Sequence, residues 1–262
     1  MGAEAISFPR KLWLYTNFDC NLSCRYCVAE STPQAARRLL EPATVRRLVD
    51  EAQDLRFERV FFTGGEPLIL DEIGEMLAYS AARLPSTLLT NGMLLQGARW
   101  QRLLAAQQAA QDNLSIQVSL DGAAPAEHDA YRGAGSWRKT VRGLRRLLDA
   151  GFHVCISTTE TPANAAHLAA LADFVALLGV APEDHFVRPL ARRGFSQEGI
   201  TASVDTLIPE ITVTAAGVYW HPLISPHSDD MRLAEGIPPL AEVVALVTAR
   251  LAGAAAAREQ FT

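Results

Sequence analysis

The sequence predicts an α/β fold in which parallel strands alternate with helices to form a barrel or partial barrel, followed by a small extension of different texture. Three observations carry this. Short apolar runs alternate with helix-like segments up to about residue 190, and such alternation builds parallel βα units. Two successive strand candidates each have one polar face. After Leu190 the pattern changes to a hairpin signal, a Pro-rich stretch and a last helix.

In chain order, the strand candidates are Lys11–Thr16, Arg59–Thr63, Ser86–Thr90, Leu114–Leu120, Phe152–Thr159 and His185–Leu190. Helical patterns lie between them at Pro42–Leu55, Asp71–Leu84, Gly97–Ala110, Ser136–Ala150 and Asn164–Leu178. Pro42 suits a first helical turn, and Gly151 and Gly179 stand just past two helix ends. In the fourth strand Leu114, Ile116, Val118 and Leu120 share one face, while Ser115, Gln117, Ser119 and Asp121 share the other. In the fifth, Val154 and Ile156 oppose His153, Cys155, Ser157 and Thr159. A parallel sheet covered on both sides is apolar on both faces, so these polar faces predict a lumen that is wet or holds a polar ligand. In the extension, Ile211–Val213 and Val218–Trp220 flank a turn at Ala216-Gly217. A boundary near residue 198 divides a domain of 1–198 from an extension of 199–262.

Composition narrows the function classes. With 262 residues, about half of them hydrophobic, and a net charge of −5, the chain can bury a large core and has no bulk field to attract nucleic acid. Its arginine pairs are scattered. Met1–Lys11 holds no apolar export core, and Leu240–Ala257 is interrupted by Glu242 and Arg250. Neither a membrane span nor export is expected, and unpaired cysteines then point to a reducing cytoplasm.

The most informative residues are Cys20, Cys24 and Cys27, in a chain whose only other cysteine is Cys155. Thiolates at C-x3-C-x2-C spacing can converge on one soft metal centre, and three ligands leave a fourth position open for chemistry. A disulfide framework does not suit so few cysteines in so long a chain. A zinc site, which wants a fourth Cys or His nearby, stays open on spacing alone. Directly after the second strand comes Thr63-Gly64-Gly65-Glu66-Pro67, whose glycines let a ligand approach the backbone and whose glutamate can hold an ammonium group.

Together these motifs resemble the signature of the radical S-adenosylmethionine (SAM) superfamily. The likeness continues through Thr90-Asn91-Gly92, Ser119-Leu120-Asp121-Gly122 and His128-Asp129-Ala130-Tyr131-Arg132-Gly133, which are similar to the branch with SPASM and twitch domains. The resemblance implies a partial (β/α)6, TIM-like barrel with its site at the C-terminal ends of the strands. It implies that Cys20, Cys24 and Cys27 hold a [4Fe-4S] cluster whose free iron binds SAM. Gly64, Gly65 and Glu66 would receive the methionyl ammonium, and Tyr26 would lie near the adenine. Ser119 and Asp121 are candidates for the ribose or methionyl part, and Arg132 for the carboxylate. A flavodoxin- or ferredoxin-type reductant would supply an electron, and a 5′-deoxyadenosyl radical would take a hydrogen atom from substrate.

The tail Ile211–Leu223 is similar to the opening hairpin of a SPASM domain, but His221 stands where a cysteine is usual and no cysteine follows. One cluster is therefore expected, and with no second cluster to accept an electron, a redox-neutral outcome such as epimerisation of a peptide or sugar-like substrate. His221 and His227 are expected to be ordinary hydrogen-bonding loop residues. Cys155, on the lumen face, is a candidate hydrogen-atom donor, against the plain reading of an inert buried thiol. The alternatives are an oxidative peptide maturase and a non-catalytic cluster-bearing binding or sensor protein.

Overall fold

The computed structural model describes residues 8–110, 112–201, 203 and 206–259. Residues 1–7, part of the Met1–Lys11 stretch that holds no apolar export core, lie outside the described residues. Six strands, β1 (Lys11–Asn17), β2 (Arg59–Gly64), β3 (Ser86–Thr90), β4 (Leu114–Ser119), β5 (His153–Glu160) and β6 (His185–Pro189), run parallel in consecutive order. They alternate with α1 (Pro42–Asp54), α2 (Ile73–Ala81), α3 (Gly97–Ala110), α4 (Pro125–Arg132), α5 (Ser136–Asp149) and α6 (Leu168–Leu177). The extension then adds β7 (Ile211–Thr214), β8 (Gly217–Tyr219), β9 (Arg232–Glu235) and α7 (Leu240–Glu259).

The sheet order is β6-β5-β4-β3-β2-β1-β7-β8-β9, with β6 and β9 at its two ends, so the barrel is open. β7 pairs parallel with β1 through Leu12, Trp13 and Leu14 opposite Ile211, Thr212 and Val213. The extension thus carries on the same sheet, turning antiparallel at β7–β8 and β8–β9. Among the described residues no helix is long and apolar enough to cross a membrane.

Alternation sorts the strands into a helix-facing core and a lumen. Leu12, Leu14, Val60, Phe62, Leu88, Ile116, Val118 and Ile156 are fully buried between sheet and helices, each worth roughly 1.5–3 kcal/mol of burial. α1 meets them with Val45, Leu48, Val49 and Ala52, and α5 with Val141, Leu144 and Leu147, the spacing of one helical face. On the other side, Gln117 pairs in register with Cys155, and Ser119 with Ser157. Because β4 and β5 are interior strands, their polar faces line the lumen rather than an outer edge.

Three local differences from the sequence reading have physical causes. α4 forms where no helix was expected: Pro125 starts it, and the Glu127 carboxylate accepts from the Ala124 amide at 3.1 Å. α6 begins at Leu168 rather than Asn164, whose side chain is engaged with the Thr161 amide (2.7 Å) and the Asp121 carbonyl (2.7 Å). β9 was not anticipated. It pairs only with β8, and its four residues are too few to show a pattern.

Candidate active site

The loop leaving β1 carries Cys20, Cys24 and Cys27, all free thiols, to the C-terminal end of the strands. All three line one cavity of about 260 Å³, with Tyr26, Gly64, Gly65, Ser119 and Arg132 also in its wall. Backbone amides point at two of the sulfurs, from Leu22 to Cys20 (3.4 Å) and from Ser31 to Cys27 (3.3 Å). Burial first, then the nearby Glu66 carboxylate, pushes the Cys20 thiol up to about 12. Burial also lifts Cys24 to about 11, against the pull of the Arg132 guanidinium. Soft sulfur donors gathered where burial opposes a bare thiolate suit ligation by a soft metal, whose charge removes that opposition.

Three elements hold this loop. Gly65 donates its amide to the Asn17 carbonyl and Glu66 to that of Asp19, each at 3.0 Å. A Cβ on Gly65 would lie 2.1 Å from the Asp19 oxygen, and one on Gly64 would lie 2.3 Å from the Asn17 oxygen. The close approach these glycines permit is therefore that of the cysteine loop itself. Arg25 donates its amide to the Tyr131 carbonyl on α4 (2.8 Å). Phe195, just after β6, donates to the Cys27 carbonyl (3.1 Å).

Glu66 does not line the cavity. It is wholly buried, and its carboxylate accepts from the amides of Leu68 (3.1 Å) and Asn91 (2.8 Å) and from the Thr90 hydroxyl (2.8 Å). Burial outweighs these donors and raises its pKa to about 7. It ties the turn after β2 to the turn after β3. There Asn91 donates to the Asn21 side chain at 2.8 Å.

Asp121 is likewise wholly buried and outside the cavity lining. One oxygen accepts from Arg132 Nε (2.6 Å) and the Tyr26 hydroxyl (2.5 Å), the other from the Thr159 amide (2.9 Å). Its own amide donates to His128 Nδ1 at 3.1 Å, which requires a neutral ring. Burial, then Arg132, holds His128 down at about 4. Asp121 thus fixes two cavity residues in place. Arg132, held by its Nε, lines the cavity, and its guanidinium carbon lies 5.3 Å from the Tyr26 ring centre.

Of the residues expected at the site, Tyr26, Gly64, Gly65, Ser119 and Arg132 stand with the three cysteines, while Glu66 and Asp121 stand behind them. Cys155 is not among them: it lies two residues below Ser157, roughly 7 Å down the strand, and its Sγ donates to Asp184 Oδ1 at 3.3 Å. His221 accepts the Leu223 amide at Nδ1 (3.1 Å), and burial with Arg188 and Arg193 lowers it to about 4. No motif marks Asn17, whose side chain donates to the Asp19 carbonyl (2.8 Å) and the Glu66 carbonyl (3.2 Å). Nor does any place Leu223 in the cavity wall, where the Tyr15 hydroxyl holds its neighbour Pro222 by the carbonyl at 2.6 Å.

An open parallel barrel with three thiols converging over a glycine turn defines a class of metal-dependent barrel proteins. The profile of the Radical SAM superfamily matches residues 14–175, and the chain belongs to that superfamily, which uses a [4Fe-4S] cluster and SAM. The match ends before the extension, so the likeness of Ile211–Leu223 to a SPASM hairpin rests on its sequence. The chain is 32% identical over 177 residues to the mycofactocin maturase MftC of Mycolicibacterium smegmatis, covering 67% of this chain and 44% of that protein. It is 31% identical over 148 residues to the AdoMet-dependent heme synthase of Nitratidesulfovibrio vulgaris, covering 56% of this chain and 39% of that one. Streptococcus suis SuiB, in a crystal structure with its precursor peptide SuiA, superimposes with a TM-score of 0.63 at 18% identity, over 74% of this chain and 43% of SuiB. The chain spans less than half the length of these relatives.

Proposed function

We propose that this chain is a radical SAM enzyme that abstracts a hydrogen atom from a peptide substrate with no net oxidation. The observation that carries it is the single cavity shared by the three thiols, the Gly64-Gly65 edge and the Arg132 fork. When bound, the cluster and SAM supply a 5′-deoxyadenosyl radical. The chain's own residues supply position. Cys20, Cys24 and Cys27 would ligate the cluster, with the Leu22 and Ser31 amides donating to two of the sulfurs. Arg132 offers a planar fork to the methionyl carboxylate, and Asp121 keeps that fork oriented. Tyr26, its hydroxyl tethered to Asp121, presents a fixed ring to the adenine. Ser119 takes a ribose or methionyl polar group. Glu66 serves by bracing the glycine turn, which leaves the methionyl ammonium to the backbone of Gly64 and Gly65. Arg188 and Leu223, also in the cavity wall, are in place to meet the substrate, and a flavodoxin- or ferredoxin-type reductant would supply the electron.

A peptide substrate is favoured because relatives of this sequence and fold include a maturase and a protein bound to a precursor peptide. The thiol inventory supports a redox-neutral outcome: three of the chain's four cysteines sit at the cavity and the fourth, Cys155, lies outside it. That leaves no thiol set for a second cluster in this chain.

The test is anaerobic reconstitution with iron and sulfide, then reduction in the presence of SAM. About four irons per chain, with 5′-deoxyadenosine formed, is the expected result. Zinc in place of iron, or a full complement of iron without deoxyadenosine when peptide is present, would overturn the reading. A product of unchanged mass that takes up solvent deuterium supports the redox-neutral outcome. One lighter by about two mass units would establish the oxidative maturase instead.

A further inference from the structure

A second group of ligating side chains stands at the opposite end of the lumen. His153 opens β5, Cys155 follows two residues later on the same face, and Asp184 sits in the turn that leads into β6. Asp184 faces both: Oδ1 lies 3.3 Å from Cys155 Sγ and Oδ2 lies 3.0 Å from His153 Nε2. One donor atom from each residue falls within 4.8 Å of the other two. We propose that His153, Cys155 and Asp184 form a divalent metal site of the zinc type, separate from the cluster cavity.

The geometry is close to what that ion needs. Tetrahedral zinc bonds sulfur at about 2.3 Å and nitrogen or oxygen at about 2.0 Å, which sets its ligand atoms roughly 3.3–3.6 Å apart. Because Oδ1 meets Cys155 and Oδ2 meets His153, binding through one oxygen keeps one of these two edges to within a few tenths of an ångström, and the other edges, between ligand atoms that fall within 4.8 Å of one another, close with a shift of about an ångström. The donor set of one nitrogen, one sulfur and one oxygen suits zinc better than calcium or magnesium.

The arrangement does not suit a nucleophile. There the imidazole must touch the thiol to take its proton, whereas here the carboxylate stands between them and accepts the thiol hydrogen itself. On metal binding the Cys155 S–H bond ionises, its proton leaves to solvent, and a sulfur–metal bond takes its place. His153 binds as neutral imidazole through Nε2 and Asp184 through one oxygen. Thiolate and carboxylate together cancel the charge of the cation. Burial first, then Asp184, pushes the Cys155 thiol up to about 12 against the weaker pull of Arg59, which donates to Thr87 (3.1 Å) and Ser115 (3.3 Å), so it is the bound cation that stabilises the thiolate. The His153 side chain is 59% exposed, so the fourth position opens to water. Such a site would tie edge strand β6 to β5 at the N-terminal ends of the two strands. It would also withdraw Cys155 from any role as a hydrogen-atom donor.

The experiment uses the cluster-loaded protein under anaerobic conditions, exposed to micromolar zinc chloride, desalted, and analysed for zinc and iron together. Wild type is expected to keep about one zinc per chain, and Cys155→Ser and His153→Ala to lose it, with iron unchanged in all three. Zinc should also slow alkylation of Cys155 at least about tenfold, read by peptide mass. His153 is exposed, so His153→Ala leaves a folded control even where Cys155→Ser does not. Failure of wild type to retain zinc, equal retention by His153→Ala, or unchanged alkylation of Cys155 would each overturn the proposal.

Discussion

Asp121 has no exposed surface, yet it governs the cavity through what it holds. Removing Arg132 leaves its carboxylate buried and uncompensated, a loss of about 3–5 kcal/mol. Arg132→Gln should therefore lower the unfolding free energy by about that amount, and adding Asp121→Asn should restore most of it. Arg132→Lys keeps the charge but not the fork, so it should weaken SAM binding by about tenfold or more with little change in stability; calorimetric titration checks this. His128 makes the site sensitive to acid. Its folded pKa, about 4, lies below the ordinary 6.5, so the unfolded chain binds the extra proton. The stabilisation from its neutral ring is present above pH 6.5 and is lost as pH falls towards 4, by roughly 3 kcal/mol. Against wild type, His128→Asn should lack this step in denaturant midpoints measured from pH 7 down to pH 4.

At the scale of elements, the cysteine loop depends on the turn after β2. Gly65→Ala would drive a Cβ into the Asp19 carbonyl, a backbone group that cannot swing aside. The expected outcome is a protein with near-native circular dichroism that retains little iron after reconstitution. Asp129 caps α5, accepting from the amides of Gly135 (2.7 Å) and Trp137 (2.8 Å) and the Ser136 hydroxyl (3.0 Å). Asp129→Ala should cost about 1–2 kcal/mol in thermal or denaturant unfolding. What the sequence revealed here follows from range. The three cysteines and Gly64-Gly65 are local patterns, and the alternation along β4 and β5 gave the correct lumen face. The tasks of Glu66 and Asp121 were not legible, because their partners, Thr90 and Asn91 for one and Thr159 and Tyr26 for the other, lie on different βα units. Periodicity also gives a face without a depth, which is why Cys155 reads as lumenal while standing below the cavity.

The whole molecule is one sheet that the extension lengthens on the β1 side. Lys11 and Trp13 bond to Glu210 at 3.0 Å and 2.5 Å, and Tyr15 bonds to the Pro222 carbonyl, so β1 is stitched to the extension along its length. A chain ending at residue 198 would expose the β1 edge and uncover Leu12 and Leu14. It should lose soluble yield and unfold at lower denaturant; equal stability would make the extension an independent appendage. The contact between Phe195 and the Cys27 carbonyl has a consequence for biosynthesis. It joins positions 168 residues apart, and a Cβ on Gly194 would lie only 2.3 Å from that same carbonyl oxygen. At ribosomal rates of about 5–20 residues per second, roughly 10–30 s separate the emergence of the last thiol from that of the segment that clasps it. During that interval the nascent thiols are open to oxidants and stray metals. The clasp on the cysteine loop therefore closes only once the whole parallel barrel has been made.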